Sequence, residues 1–325
     1  MIEPRKPVAA FDFNVAAGGA FQTLGGKDFV IRLWFWMSAG LSIVFIVTLP
    51  LFIGSYGEVL EQSWLSNRAL FSGNEQPNPD AMLSAFGKII PGMLLFTLGL
   101  WVVTAAGETA LYRRYFHDQE APRQPLRFGR QELRTMLCQL SVWLLVFLVY
   151  ILGVFAITLV IVLFSALSPI LAGIFGFVAI FALIAMFVFI PVRLAPAAAL
   201  SMQRDKTHVL AANKVTKYRF WNLFVAYLVT YLGGYIGYYI IYMISVGIAT
   251  GDMGFLMAVS GLGEDNPRVL FDAAAERMKS PLGMLLGVLA MIVNAAALAG
   301  WILLVAGVNC YAVRWWTKDD PVPNF

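Results

Sequence analysis

Long apolar runs alternate with short polar or basic stretches along the whole chain. The runs cover residues 29–53, 89–112, 136–167, 169–192, 220–248 and 282–313. A helix needs roughly 20 apolar residues to cross a hydrocarbon core of about 30 Å, and every run meets that length. The pattern therefore predicts an all-α integral membrane protein with six transmembrane helices, residues 1–325 forming a single polytopic domain. Ser168 and Pro169 separate the third and fourth runs without a charge between them, which predicts a tight hairpin. The third run would extend to about 45 Å at 1.5 Å per residue, so it must tilt or project into the headgroup layer.

The connections carry the remaining information. Residues 1–26 hold a small-residue run, VAAGGA, ahead of the first apolar segment, whereas a cleavage site would follow it, so the N-terminus is expected to be retained. Asn14 can cap a short helix bearing Val15, Phe21 and Leu24 that stops at Gly25 and Gly26 and lies in the interface. A disordered tail is the competing reading. The first long connection, 54–88, is acidic and contains the turn-forming Asn74 to Pro79, and a loop is expected there. The fifth, 249–281, places Asn266 and Pro267 as N-cap and first residue of a short amphipathic helix, VLFDAAAERMK.

Charge settles the expected orientation. With both termini cytoplasmic, the inner set of Lys and Arg has four members around the start of the first span, six between spans two and three, six between spans four and five, and two at the end. Only Arg68, Lys88, Arg268, Arg277 and Lys279 fall outside. Basic residues near span ends resist translocation, so this bias predicts cytoplasmic termini and a basic collar on that side. Tryptophans such as Trp34, Trp36, Trp315 and Trp316 mark the same boundary. Of the collar, Arg113, Arg114, Arg127, Arg130, Lys214, Lys217 and Arg219 are the candidate contacts for anionic lipid.

Composition agrees with a lipid solvent: 60% of residues are hydrophobic, 13% are charged, and the mean hydropathy is +0.75. A net charge of +4 would suggest nucleic acid only if basic residues clustered on a soluble face, and here they flank apolar runs, so no nucleic-acid partner is expected. The two cysteines, Cys138 and Cys310, fall at predicted cytoplasmic span ends, where a disulfide framework is not expected. His117 and His208 stand alone in basic loops, and no Cys or His spacing suits a metal, so neither metal nor cofactor is expected.

The odd-numbered spans share an entrance pattern, a short basic amphipathic stretch followed by aromatic residues: GGKDFVIRLWFW, RFGRQELRTMLCQLSVW and NKVTKYRFWNLF. This suggests three units of interfacial helix plus hairpin, although membrane insertion alone could impose the same pattern.

Ionisable residues inside spans are the default functional candidates because each costs about 2.5 to 3.5 kcal/mol at a helix centre. Arg32, Glu108 and Arg193 lie about one turn inside the cytoplasmic boundary, and Asn309 sits at similar depth. They can converge on a polar site that takes a lipid headgroup or a phosphate. Alternatively, Glu108 pairs with Arg32 or Arg193 to close the bundle. Mid-depth positions hold only Asn294, hydroxyls and a tyrosine run from Tyr227 to Tyr242, which argues against a proton or ion path. The glycine pairs Gly233/Gly237 and Gly283/Gly287 match the small-xxx-small pattern of close helix packing. Nucleophile elbow, metalloprotease helix, phosphate loop and paired carboxylates are all missing; an intramembrane enzyme would have to use Glu108 and His117 as acid and base.

The segment from Arg193 to Trp221 has a further property. Arg193 and Leu194 close a span, Gln203 to Thr207 form a polar turn, and Thr216, Lys217, Arg219, Phe220 and Trp221 lead into the next span. This order resembles that of a largely uncharacterised alphaproteobacterial inner-membrane family related to the membrane domain of glycerophosphoryl diester phosphodiesterases. Asn213 and Tyr218 depart from the pattern, which more often has an aromatic and a glycine there. The resemblance implies the six-span plan and a bacterial cytoplasmic membrane, while the phosphodiesterase activity belongs to a separate soluble barrel. The expected protein is a non-enzymatic membrane scaffold, accessory subunit or lipid-interacting protein, with a protein partner or homo-oligomer possible. A transporter or lipid-handling protein using the cytoplasmic polar cluster is the alternative.

Overall fold

A computed structural model describes residues 16, 26–72, 79–117, 125–217, 220–250, 272–273, 275–277 and 279–319. No strand occurs among them. The helices assigned bounds among the described residues are, in order, α1 (Gly26–Ser72), α2 (Pro79–His117), α3 (Arg130–Ser165), α4 (Pro169–Leu194), α5 (Ala197–Gln203), α6 (Ala212–Thr216), α7 (Phe220–Thr250) and α8 (Pro281–Asp319). Six of them, all except α5 and α6, are long and apolar enough to cross a membrane. The predicted N-terminal helix around Asn14 lies outside the described residues apart from Ala16, and the predicted helix at 269–279 is helical at 272, 273 and 275–277.

One expected loop is helix instead. Residues 54–72 continue α1 and α2 begins at Pro79, so the 54–88 connection is helical at both ends. Two contacts explain why the helices continue past the apolar runs. Glu58 pairs with Lys88 at 2.6 Å, and Val59, Ala85 and Ile89 bury one another beside that pair. Tertiary packing, rather than propensity, stabilises most protein helices.

The chain divides into two compact units, one of residues 1–30, 108–231 and 303–325, the other of 31–107 and 232–302. In the second unit α1 and α2 approach closely through glycine. A Cβ at Gly40 would lie 3.2 Å from Val103, and one at Gly99 would lie 2.9 Å from Val44. Trp34 Nε1 donates to the Ala296 carbonyl at 2.8 Å and ties α1 to α8. Between α7 and α8 the indole of Trp301 fills the space over Gly234, flanked by Tyr235 and Tyr238 at ring distances of 6.2 and 6.1 Å.

In the first unit α3 and α4 form the hairpin predicted from Ser168 and Pro169. Ser168 is extended and Pro169 occupies the first turn of α4, where its missing N–H costs no hydrogen bond. Phe164 stacks on Phe175 at 4.0 Å, and Gly153 lies under Leu183. The outer faces of the hairpin remain apolar and exposed, with Trp143, Phe147, Phe155, Phe177 and Phe181 all uncovered. Both helices of the hairpin are long and apolar enough to cross a membrane, which agrees with apolar side chains on every face.

The link from α4 to α7 carries the two short helices α5 and α6. Every residue of α5 from Ala197 to Met202 is buried. Its alanines allow close approach, and Cys138 Sγ on α3 reaches Ser201 Oγ at 3.2 Å. Asp205 ends the helix in the left-handed region (φ 53°), which Asp tolerates better than most residues, and its carboxylate accepts from Arg134 at 3.0 Å. Both cysteines are free and buried.

The glycine expectation also changes. A Cβ at Gly233 or Gly237 meets nothing within 4 Å, whereas one at Gly234 would fall 2.2 Å from the Trp301 ring. At Gly283 the neighbour is the local Arg277 carbonyl, and Gly287 is buried. We therefore expect Gly234→Ala to destabilise the protein by about 1–3 kcal/mol through overpacking, while Gly237→Ala is neutral or slightly stabilising through helix propensity. Thermal unfolding of the two variants in detergent micelles distinguishes these outcomes.

Candidate functional site

Two arrangements in the first unit have candidate chemistry: a buried polar chain and an open groove. The chain starts at Glu108. Tyr112, one helical turn later on α2, donates its hydroxyl to the Glu108 carboxylate at 3.0 Å, and Gln139 Nε2 on α3 donates to the same oxygen at 3.1 Å. Asn309 Nδ2 on α8 reaches the Tyr112 hydroxyl at 3.4 Å, and Tyr227 on α7 donates to Asn309 Oδ1 at 2.5 Å. One connected series of side chains thus joins α2, α3, α7 and α8. Thr109 and Thr135 add a parallel bond between α2 and α3 at 2.7 Å.

This geometry sorts the predicted cluster. Glu108 and Asn309 come together through Tyr112, and the partners of the carboxylate are neutral. Arg193 is engaged elsewhere: its Nη1 donates to Asn213 Oδ1 at 2.9 Å, and its guanidinium lies 4.7 Å from the Phe189 ring centre. It does not supply the ion pair expected for Glu108. Arg32 belongs to the other unit and is exposed. Tyr112, Gln139 and Tyr227 are the further members of this network. The i to i+4 spacing of Glu108 and Tyr112 was the one local signal.

The postulated acid and base are separated as well. Glu108 and His117 are nine residues apart on α2, roughly 13 Å of rise, and His117 Nε2 lies 2.9 Å from the Met202 carbonyl. Among the described residues no group of three His, Cys, Asp or Glu side chains is placed to hold a metal.

The basic residues expected to face lipid divide into two sets. Arg113 turns inward and pairs with Glu132 at 2.5 Å, the two side chains being only 12% and 2% exposed, and its second nitrogen reaches the Pro125 carbonyl at 3.3 Å. Arg113 is therefore a buried structural partner rather than a collar residue. Arg114 is half-buried. Arg127, Arg130, Lys214 and Lys217 are exposed, and Arg219 lies outside the described residues. Charge and spacing could not separate these groups, because Arg113 and Arg114 are adjacent and face different neighbours.

The groove lies between α4 and the start of α7 and has a volume of about 840 Å³. Ile184, Ala185 and Phe189 line one wall, and Phe220, Trp221 and Phe224 line the other. Arg193 and Lys217 are its two cations. Phe189 and Phe220 touch at 4.9 Å, and the Arg193 guanidinium lies over both rings. Thr216 Oγ1 reaches the Arg193 carbonyl at 3.4 Å, holding α6 against the end of α4.

No protein-family model, curated protein or solved structure matches the chain.

Removing Arg113 would leave Glu132 buried without its cation, a loss of about 3–5 kcal/mol. We expect Arg113→Ala to reduce the yield of monodisperse protein and lower its unfolding temperature. Replacing both partners, Arg113→Met with Glu132→Leu, should recover most of that loss, because no uncompensated charge remains. Size-exclusion chromatography with thermal unfolding of the single and double variants measures both effects.

Proposed function

We propose that this protein is a non-enzymatic polytopic protein of the bacterial cytoplasmic membrane that acts as a scaffold or accessory subunit and contacts anionic lipid through a basic collar. The family placement implied by Arg193 to Trp221 is part of this proposal. The observation that carries it is the division of charge in the first unit. The exposed cations Arg127 and Arg130 stand at the start of α3, and Lys214 and Lys217 lie in and just after the short helix α6 that leads into α7, while several interior polar groups are bonded to one another. Glu108 is held by Tyr112 and Gln139, Glu132 by Arg113, and the His117 ring by the Met202 carbonyl. Such an interior holds helices together and presents no nucleophile beside a base. Near an anionic surface each exposed cation contributes about 1 kcal/mol.

The alternative, a transporter or lipid-handling protein built on Arg32, Glu108, Arg193 and Asn309, draws support only from the link between Glu108 and Asn309 through Tyr112. Arg193 is turned to Asn213 and two rings, away from that link.

Two measurements test the proposal. In nanodiscs, the unfolding temperature should rise with the fraction of phosphatidylglycerol. That gain should shrink as salt is raised from about 0.1 M to about 1 M, because the screening length falls from about 10 Å to about 3 Å. Independence from both variables would reject the collar. For orientation, a reporter fused at Glu75 should read out as extracytoplasmic, and a cytoplasmic signal would overturn the topology.

A further inference from the structure

The groove between α4 and α7 combines three features. Its walls are apolar and aromatic over more than two turns of α4. From Ile184 to Arg193 the helix rises roughly 13 Å, enough to lie beside a run of methylene groups. Its volume, about 840 Å³, falls within the ordinary range for sites that enclose a small molecule. Its two cations come from separate elements, Arg193 closing α4 and Lys217 following α6, so they converge only once the chain has folded.

The state of Arg193 adds a reason for a ligand. Its guanidinium rests on Phe189 and Phe220 and gives one nitrogen to Asn213, but its buried Nε has no hydrogen-bond partner. A buried donor without an acceptor is costly, and Arg is suited to planar, multi-point recognition of phosphate oxygens. Lys217 supplies a second cation to the same groove. Trp221, 72% exposed on the opposite wall, has the amphipathic ring favoured where hydrocarbon meets headgroups.

From this geometry we propose that the groove is a discrete site for one anionic glycerophospholipid, its phosphate held by Arg193 and Lys217 and an acyl chain lying along Ile184, Ala185 and Phe189. The charge complementarity selects this occupant. A free phosphate would leave the apolar walls uncovered, and an apolar protein segment would leave the buried Arg193 Nε without an acceptor. The inference rests on the proposed membrane setting and goes further, since a collar attracts anionic lipid diffusely while a groove retains one molecule.

Native mass spectrometry of the full-length protein in detergent, titrated with phosphatidylglycerol or phosphatidylcholine, provides the test. The unmodified protein should retain one phosphatidylglycerol in preference to phosphatidylcholine. Lys217→Gln should weaken that binding about fivefold, the equivalent of one interfacial charge. Ala185→Trp fills the apolar wall and leaves both cations in place; it should remove the tightly held lipid. Both positions are exposed, so chromatography and unfolding temperature should match the unmodified protein. Free glycerol 3-phosphate should not displace the lipid, and displacement would overturn the acyl-chain part of the assignment. If the unmodified protein prefers phosphatidylglycerol and both variants behave identically to it, the groove is rejected and the collar stands. If the unmodified protein shows no preference, the groove and the collar fail together.

Discussion

The first unit depends on how a half-buried carboxylate is satisfied by neutral donors. Glu108 lies on a helix that is otherwise apolar enough to span a membrane, where an uncompensated charge or unpaired polar group costs several kcal/mol. The chain meets that cost with neutral donors drawn from separate helices. Gln139 comes from α3, Tyr112 from the next turn of α2, and through Tyr112 the network reaches Asn309 on α8 and Tyr227 on α7. Because each group has a specific partner, the relative rotation of four helices is constrained in a way that apolar contacts alone would leave loose. Connected polar networks specify an arrangement only when their members are satisfied.

The same requirement organises the charges around this network. Arg113 and Glu132 neutralise each other in a nearly closed site, while Arg134 meets Asp205 at the left-handed turn that ends α5. The exposed basic residues Arg127, Arg130, Lys214 and Lys217 lie outside these two pairs. Arg193 stands between the two sets. It is partly committed to Asn213 and to aromatic rings, yet retains a buried nitrogen without an acceptor at the end of an apolar groove. That intermediate position makes it a binding residue in our reading, rather than a lock for Glu108.

In the second unit close packing at glycine works beside a few polar contacts. Glycines at 40 and 99 admit valine side chains from the facing helix, and Gly234 admits the Trp301 indole. Such contacts gain from dispersion at close range and lose sharply when a methyl group is added. Gly233 and Gly237 share the composition of these positions without sharing their surroundings.

The amino-acid pattern alone determined the number of long helices, the hairpin at Ser168 and Pro169, and the approximate limits of most spans, because these follow from local hydropathy and backbone chemistry. It also placed Glu108, Arg193 and Asn309 among the polar residues of interest, since ionisable and amide groups in apolar runs are conspicuous. Tertiary structure decided which of them meet. Helical spacing assigns a residue to a face but does not name what lies opposite, so the inward turn of Arg113, the pairing of Tyr227 with Asn309 and the burial of α5 were not legible. The extension of α1 through residues 54–72 was hidden for the same reason: it is stabilised by Glu58, Val59, Lys88 and Ile89 meeting across two helices. The groove needed tertiary structure most, because Arg193 and Lys217 are 24 positions apart and line one groove only after α4, α6 and α7 have packed.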